Sequence, residues 1–377
     1  MAECIHFGTC GGCSYQDLAY EAQLELKRNL VIEALSEFQA EHHFEVRPTL
    51  ASPKHYGYRH MIALTVRHRR VGAGLPRPYL GFIGHDRRSF LPVELCPISD
   101  DRINQFLPAA LQKLEELPPE RKFNTSQVVL RVGTDGEVVT SIRTDRGKQL
   151  SCSVFGKTFS FSMSSFFQNN FSILETFINA IRTMLSSPNV LALALNARST
   201  FQEELDVPLR KCVGDPDSRL KRAGMTSDIG GTLFDLYSGV GLIGILIADD
   251  YQSVLGIEEG YEAVKHAKEN AIRNKVKNVS FLEGKVEHLL SELARKSPGP
   301  LHVVVDPPRV GLKPEVIKAL METQLLVERL VYVSCHLEAL KRDLGVLTQR
   351  FRIMNIQPID FFPQTKHIET LVLLEPR

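Results

Sequence analysis

The run Phe234-Asp235-Leu236-Tyr237-Ser238-Gly239-Val240-Gly241-Leu242-Ile243-Gly244 constrains this chain more than any other stretch. An apolar strand passes through a glycine turn straight into an apolar helix, and both faces of such a unit are buried only in a sheet covered by helices. The same rhythm continues downstream. Strand-length apolar runs at 232–236, 253–257, 279–282, 301–305 and 329–333 alternate with helical segments that begin at Gly241, Tyr261, Lys313 and Leu337 or end at Arg295. The pattern predicts a doubly wound, Rossmann-like α/β sheet of parallel strands that residues 360–374 complete.

The first part of the chain reads differently. Residues 16–42 predict a helix whose apolar face is Leu18, Ala22, Leu26, Leu30, Ile32 and Leu35. Residues 58–98 are β-rich, a helix over 100–117 ends at Pro118-Pro119, and strands at 127–132 and 137–142 flank the turn Thr134-Asp135-Gly136. This divides the chain into a β-rich N-terminal region (1–98), a central β-rich segment (99–160) and an α/β domain (161–377), with 186–230 as an insertion. A net charge of +1 hides a local imbalance, because residues 57–90 carry seven arginines (59, 67, 69, 70, 77, 87 and 88) against the single acid Asp86. A basic surface on one module of a neutral protein suits a polyanion, with Arg59, Arg67, Arg69 and Arg70 as its candidate contacts. No stretch of about eighteen apolar residues occurs, the length a membrane span needs. The N-terminus lacks the basic-then-apolar pattern of a secretory signal, which predicts a cytoplasmic protein with reduced thiols.

The chemistry-bearing residues fall at strand ends, where α/β sheets place ligands. The glycine turn, with Tyr237, Gly239 and Gly241, lets a ligand approach the backbone, and Glu258, nineteen residues beyond Gly239, can hold two ribose hydroxyls. Taken alone, Gly-x-Gly-x-x-Gly also fits a nicotinamide dinucleotide and hence an oxidoreductase. Asp235 favours S-adenosylmethionine, because an acid there suits the methionine end and would repel a pyrophosphate. In Asp306-Pro307-Pro308-Arg309 the prolines stiffen a strand tip and hold Asp306 outward, where it can read a base edge. Cys335 ends the next strand and Glu369 begins the last. A pyrimidine C5 is too electron-poor to take a methyl group directly, whereas a thiolate added at C6 makes C5 nucleophilic and a base then removes the C5 proton. Cys335 is the candidate nucleophile and Glu369, entering an apolar strand, the candidate base.

A separate set of thiols stands near the N-terminus: Cys4, Cys10, Cys13 and, far along the chain, Cys96. Three close cysteines and a distant fourth can wrap an iron–sulfur cluster of the 4Fe-4S kind in a structural role; zinc is the rival ligand for the same thiolates.

Together these motifs resemble the RNA (uracil-5-)-methyltransferase family over nearly the whole chain. The resemblance rests on Cys-Gly-Gly-Cys-Ser-Tyr-Gln at 10–16 with Gln23 and Lys27, Gly57-Tyr58-Arg59, Ser165-Phe166-Phe167-Gln168-Asn169-Asn170, Asp-Leu-Tyr-Ser-Gly-Val-Gly, Asp-Pro-Pro-Arg, Val-Ser-Cys with Asp343 following, and His-Ile-Glu. It implies a methyltransferase domain behind a smaller iron–sulfur and RNA-binding region. Cys335 would be the nucleophile, Glu369 the C5 base and Asp306 the uracil-orienting residue, while Gln168, Tyr237 and Glu258 would contact the cofactor. The cysteines resemble the branch that acts on 23S ribosomal RNA; a tRNA substrate is the alternative, and a 5-methylcytosine enzyme would need a further cysteine near Asp306. A monomer lacking the small RNA-binding β-barrel of some relatives is expected. Three departures stand out: His336 where the family has Asn, a long gap between Gln168 and Asp235, and Lys285 where an adenine-contacting acid is common.

Overall fold

The computed structural model describes residues 2–69, 76–142, 148–186, 230–297, 299–322 and 326–377. Arg70, Cys212 and residues 187–229 of the expected insertion lie outside the described residues.

After the loop that carries Cys4, Cys10 and Cys13 come α1 (Tyr20–Ala34), α2 (Ser36–His42) and the short strand β1 (Glu45–Val46). The single helix expected over 16–42 is thus broken at Leu35, and α1 turns its other side inward. Its buried residues are Gln23, Lys27 and Val31, one helical turn apart, whereas Leu26, Leu30 and Ile32 stay exposed. The physical reason lies beneath the helix. The surface there is the Asp360 carboxylate and the backbone of residues 362–364, which only polar side chains can satisfy.

Next follow β2 (Met61–Arg69), β3 (Arg77–Ile83), β4 (Phe90–Pro92), α3 (Asp101–Glu115), α4 (Pro119–Asn124), β5 (Gln127–Arg131) and β6 (Val139–Thr140). The strands form one antiparallel sheet in the order β4-β3-β2-β5-β6, so the β2–β5 pairing joins residues on both sides of the division expected at 98. Ile62, Leu64 and Val66 of β2 share a core with Ile103, Leu107, Ala110 and Leu114 of α3. Alternation then leaves Met61, Ala63, Thr65, Arg67 and Arg69 on the other face.

A hairpin of β7 (Leu150–Val154) and β8 (Lys157–Phe161) leads to α5 (Leu174–Leu185). The α/β rhythm then runs through β9 (Thr232–Leu236), α6 (Leu242–Ile247), β10 (Ser253–Glu258), α7 (Tyr261–Arg273), β11 (Val279–Glu283) and α8 (Val286–Lys296). It continues through β12 (Leu301–Val305), α9 (Pro314–Leu320), β13 (Val327–Ser334), α10 (Leu337–Leu347), β14 (Phe351–Ile359) and β15 (Glu369–Pro376). The sheet order is β1-β14-β15-β13-β12-β9-β10-β11. Apolar cores cover both faces, as the unbroken apolar runs predict. Three strands depart from the reading of the sequence: β1, from the region expected to stand apart, pairs with β14 at the edge of this sheet. The apolar pattern does not predict β14, since Arg352, Asn355, Gln357 and Pro358 interrupt it. β15 runs antiparallel to both β13 and β14, which the short connection from β14 enforces.

The chain leaves β9 for β10 on one side and reaches β12 on the other, so a crevice opens at the carboxyl ends of these strands. Tyr237, Glu258, Asp306 and Cys335 are all at or just beyond such ends.

Candidate active site

In the antiparallel ladder Ser334 is opposite Thr370, so one further step sets Cys335 at the end of β13 across from Glu369 at the start of β15. Asp306 follows β12, the neighbouring strand, and its N–H donates to the Leu236 carbonyl (3.3 Å) at the end of β9. Thus three parallel strands and one reversed strand bring the expected acid, nucleophile and base together.

The electrostatics of this group are lopsided. Burial, then the charges of Glu369 and Asp306, push the Cys335 thiol up to about 11, and Arg309 pulls the other way. Burial and Asp306 raise the Glu369 carboxyl well above its ordinary range, again against Arg309. Asp306 itself rises to about 7 through burial. Acids crowded out of water hold protons near neutral pH, which is what proton transfer to and from a bound base requires. Arg309 is exposed and reaches the ring of His367 (3.5 Å), and His367 leans towards its neutral form through burial and then the nearby cations, Arg309 foremost.

Local structure holds each group in place. Asp343, fully buried on α10, accepts from the Leu312 N–H (2.7 Å) and the Tyr332 hydroxyl (2.6 Å), tying the loop after Asp306 to β13. Gly311 turns that loop with φ +81°, and a Cβ there would come within 2.6 Å of an Asp343 oxygen. His336, the departure beside the nucleophile, caps α10: its Nδ1 accepts from the Ala339 N–H (3.3 Å), the bond an Asn would make.

The glycine turn is built around carboxylates. Glu258 accepts from the N–H groups of Gly239 (3.1 Å) and Gly260 (2.8 Å). Asp235 is buried; one oxygen accepts from the Gly244 N–H (2.9 Å), and the other has no partner. Burial raises it to about 7, helped by the charges of Asp306 and Glu258. Gly241 has φ +82° and sits so near the Phe281 ring that a Cβ would approach to 2.6 Å. Tyr237 also takes a positive φ of 64°, unusual for a residue with a side chain and typical of strained ligand sites.

Gln168 lies in the loop between β8 and α5. Its neighbours are stapled down: Asn169 exchanges bonds with both backbone groups of Met61 (2.7 and 3.3 Å), and Asn170 donates to Ser52 Oγ (2.9 Å) and the Phe361 carbonyl (3.1 Å). Buried Arg131 braces the same loop, donating to the carbonyls of Ser162 (2.9 Å) and Ser165 (2.7 Å) with its guanidinium over Phe161. Sequence reasoning misses Arg131, although a lone charge inside the apolar strand 127–132 is a signal. Beside it the exposed ring of Phe166 stands out of the loop.

Cys4, Cys10, Cys13 and Cys96 are free thiols that line one cavity of about 320 Å³ together with Gln16, Arg59, Ala63 and Thr65. Burial raises Cys13 to about 11, with Gln16 and the neighbouring thiols modulating it. Two N–H donors lining the cavity, Gln16 Nε2 and Arg59 Nε, are buried without a hydrogen-bond partner. Among the described residues no three of His, Cys, Asp or Glu stand close enough together to hold a metal ion. Arg67 and Arg69 are exposed on the outer face of β2, opposite Tyr79 and Arg77 of β3. No described helix is long and apolar enough to cross a membrane.

Comparison with known proteins gives a consistent picture. Residues 222–377 match the model of a family described as tRNA (uracil-5-)-methyltransferase. An uncharacterised RNA methyltransferase of Listeria monocytogenes is 30% identical over 99% of this chain and 83% of its own length. The tRNA (uracil(54)-C(5))-methyltransferase of Schizosaccharomyces pombe is 28% identical over 99% of this chain and 65% of its own. Among solved structures, the tRNA (uracil-54, C5)-methyltransferase of Pyrococcus abyssi, in complex with S-adenosyl-L-homocysteine, superposes with a TM-score of 0.63 at 23% identity, covering 97% of this chain and 86% of that one.

A thiol raised to about 11 is almost wholly protonated at neutral pH. Alkylation of Cys335 by iodoacetamide, with no RNA added, should therefore climb about tenfold per pH unit until the thiol titrates. Arg309→Ala should slow the reaction and Asp306→Asn should speed it, because the first removes the charge that lowers this thiol and the second one that raises it. Mass spectrometry of the Cys335 peptide gives the rates; a plateau already reached at neutral pH would refute the raised thiol.

Proposed function

The chain belongs to the RNA (uracil-5-)-methyltransferase family, and on that premise we propose that it methylates C5 of one uridine in 23S ribosomal RNA, with Cys335 as covalent nucleophile. The observation that carries the mechanism is the strand register that opposes Cys335 and Glu369 beside Asp306. An oxidoreductase, which the glycine turn alone leaves open, would have no use for that trio.

The residues of the crevice fit S-adenosylmethionine. The unpartnered oxygen of Asp235 is an acceptor for the ammonium of the methionine end. Glu258 keeps free lone pairs for ribose hydroxyls, and the amide of Gln168 makes no bond within the described protein. When bound, this cofactor supplies the methyl group. The protein's own residues do the rest. Cys335 gives its proton to the Asp306 carboxylate, which leaves Glu369 unprotonated for the later step, and its sulfur bonds to C6, moving the C5–C6 electrons towards C5 and O4. Asp306 pairs with the uracil and holds it in plane. After C5 has taken the methyl group, Glu369 removes the C5 proton, the carbon–sulfur bond breaks, and the double bond re-forms with the thiolate as leaving group.

The four cysteines supply the donor set of an iron–sulfur cluster, although among the described residues they do not stand close enough together to hold a metal ion. They share one cavity, and two buried N–H groups there lack the acceptors that cluster sulfurs would provide. Cys4, Cys10, Cys13 and Cys96 would hold the cluster in a structural role, keeping the loop 4–16 folded. The outer face of β2 runs from Met61, which anchors the Gln168 loop, past Ala63 and Thr65 at the cysteine cavity to Arg67 and Arg69. With Tyr79 and Arg77 across the strand, it offers cations and an aromatic ring to an RNA strand leading into the crevice. The cysteine set favours ribosomal RNA. A tRNA substrate is the second reading, favoured by the likeness to two tRNA enzymes over nearly the whole chain.

Unmodified 23S ribosomal RNA and tRNA transcripts, incubated with enzyme and cofactor and mapped by mass spectrometry, should gain 5-methyluridine at one ribosomal position; gain in tRNA alone would transfer the proposal to the second reading. Cys335→Ala should abolish methylation, and Glu369→Gln should leave a denaturation-resistant protein–RNA adduct; methylation by Cys335→Ala would rule out covalent catalysis. Protein purified without air should carry iron and sulfide in the amounts of a cluster and lose both in Cys96→Ser, whereas zinc in their place would decide for the rival metal. Replacing Arg67 and Arg69 by Gln should flatten the salt dependence of RNA binding, by about 0.7 in log–log slope for each phosphate that is no longer neutralised; an unchanged slope would remove β2 from the RNA path.

A further inference from the structure

The polar face that α1 buries has a target: the turn between β14 and β15, which leads directly to Glu369. At its tip Gln364 takes a left-handed φ of 68°, which a residue with a side chain keeps only when its surroundings compel it. Four hydrogen bonds supply the compulsion. The N–H groups of Ser14 (2.8 Å) and Tyr15 (3.0 Å) donate to the Gln364 carbonyl. The Gln364 N–H donates to Gln23 Oε1 (3.0 Å), and Gln23 Nε2 donates to Gln364 Oε1 (3.0 Å). One helical turn further, Lys27 meets Asp360 (2.5 Å) in a fully buried ion pair and donates to the Phe362 carbonyl (3.0 Å). The Tyr58 hydroxyl donates to the Pro363 carbonyl (3.0 Å).

From this clamp the chain has little freedom on its way to the base. Thr365 Oγ1 accepts from the His367 N–H (3.2 Å), Ile368 is buried, and Glu369 follows. Cys335 has other supports: the Ser334 hydroxyl bonded to the His336 backbone and the cap of α10. Nucleophile and base share the β13–β15 ladder, but beyond it each is braced by a different part of the chain. Ser14 and Tyr15 follow Cys13 directly, so the segment that carries the cysteines is the one that grips the base loop.

We infer that Gln23 is a positioning residue for Glu369, so that removal of the C5 proton depends on the N-terminal segment while capture of the uracil by Cys335 does not. The inference rests on the roles proposed above for Cys335 and Glu369. It has a signature that a general loss of folding lacks, because a displaced base stalls the reaction after the methyl transfer, with the RNA still attached through sulfur.

The test uses the full chain, S-adenosylmethionine and the transcript that the wild-type enzyme methylates, in an ordinary and a 5-fluorouridine form; once C5 carries both fluorine and methyl there is no proton to remove, so each uracil that is captured and methylated is recorded as a stable adduct. Gln23→Ala should capture the fluorinated RNA at the wild-type rate. On ordinary RNA it should turn over about tenfold more slowly or worse, a fraction of what a positioned base contributes, and accumulate a denaturation-resistant adduct that the wild type does not show. If Gln23→Ala gives too little folded protein, Gln23→Glu keeps the acceptor for the Gln364 N–H and loses the amide donations; it should show the same split. Equal loss of capture and turnover, or slow turnover without adduct, overturns the positioning role. Absence of adduct between wild-type enzyme and fluorinated RNA overturns the Cys335 mechanism itself, and the inference with it.

Discussion

Ser334 is opposite Thr370, and the ladder from Leu330–Leu374 up to that pair keeps regular register, so Cys335 and Glu369 emerge as opposed strand ends. A slip of one residue would turn every side chain of β15 to the other face of the sheet and send Glu369 into the core. The buried apolar residues Leu371, Val372, Leu373 and Leu374 prevent the slip, since they fill the cores on both faces of the sheet. The chemistry at the crevice thus depends on packing well behind it.

That placement has an electrostatic consequence. Asp235, Asp306 and Glu369 are acids raised by burial, and the Cys335 thiol beside them is raised too. A site with this balance holds protons at rest and is poised to exchange them once a uracil and a sulfonium cation enter. Arg309 is the cation that tempers both Cys335 and Glu369. Its position after two prolines, in a loop tied down by Asp343, keeps it at the rim rather than in the crevice.

The N-terminal part of the chain is built into the catalytic one. α1 lies on the base loop, β1 extends the large sheet beside β14, and Asn169 and Asn170 join the Gln168 loop to Met61 and to Phe361. The small sheet and the cysteine cavity are consequently held close to the crevice, and one face of β2 connects all three. That face is the proposed path of the RNA, and the segment that follows the cysteine loop is the proposed grip on the chain leading to Glu369.

What can be read from the sequence is local in its causes. The glycine turn, the Asp-Pro-Pro tip, the strand ending in Cys335 and the alternation of α7 to α10 with β10 to β13 depend on neighbouring residues, and period and turn chemistry report them directly. Asp306, Cys335 and Glu369 can be singled out from their strand-end motifs on the same basis, whereas Gln168 is named only by the family resemblance. Tertiary structure alone decides which way α1 faces, because apolar spacing points to Leu26 and Leu30 whereas the partner of the helix is Asp360, more than 300 residues away in sequence. It also decides the reversed direction of β15, the existence of β14 with its polar interruptions, and the bracing of the Gln168 loop by Arg131. For α1 and the Gln168 loop the stabilising contact is a buried polar group satisfied by another segment, and for β14 and β15 it is strand pairing; no local pattern records either kind of partner.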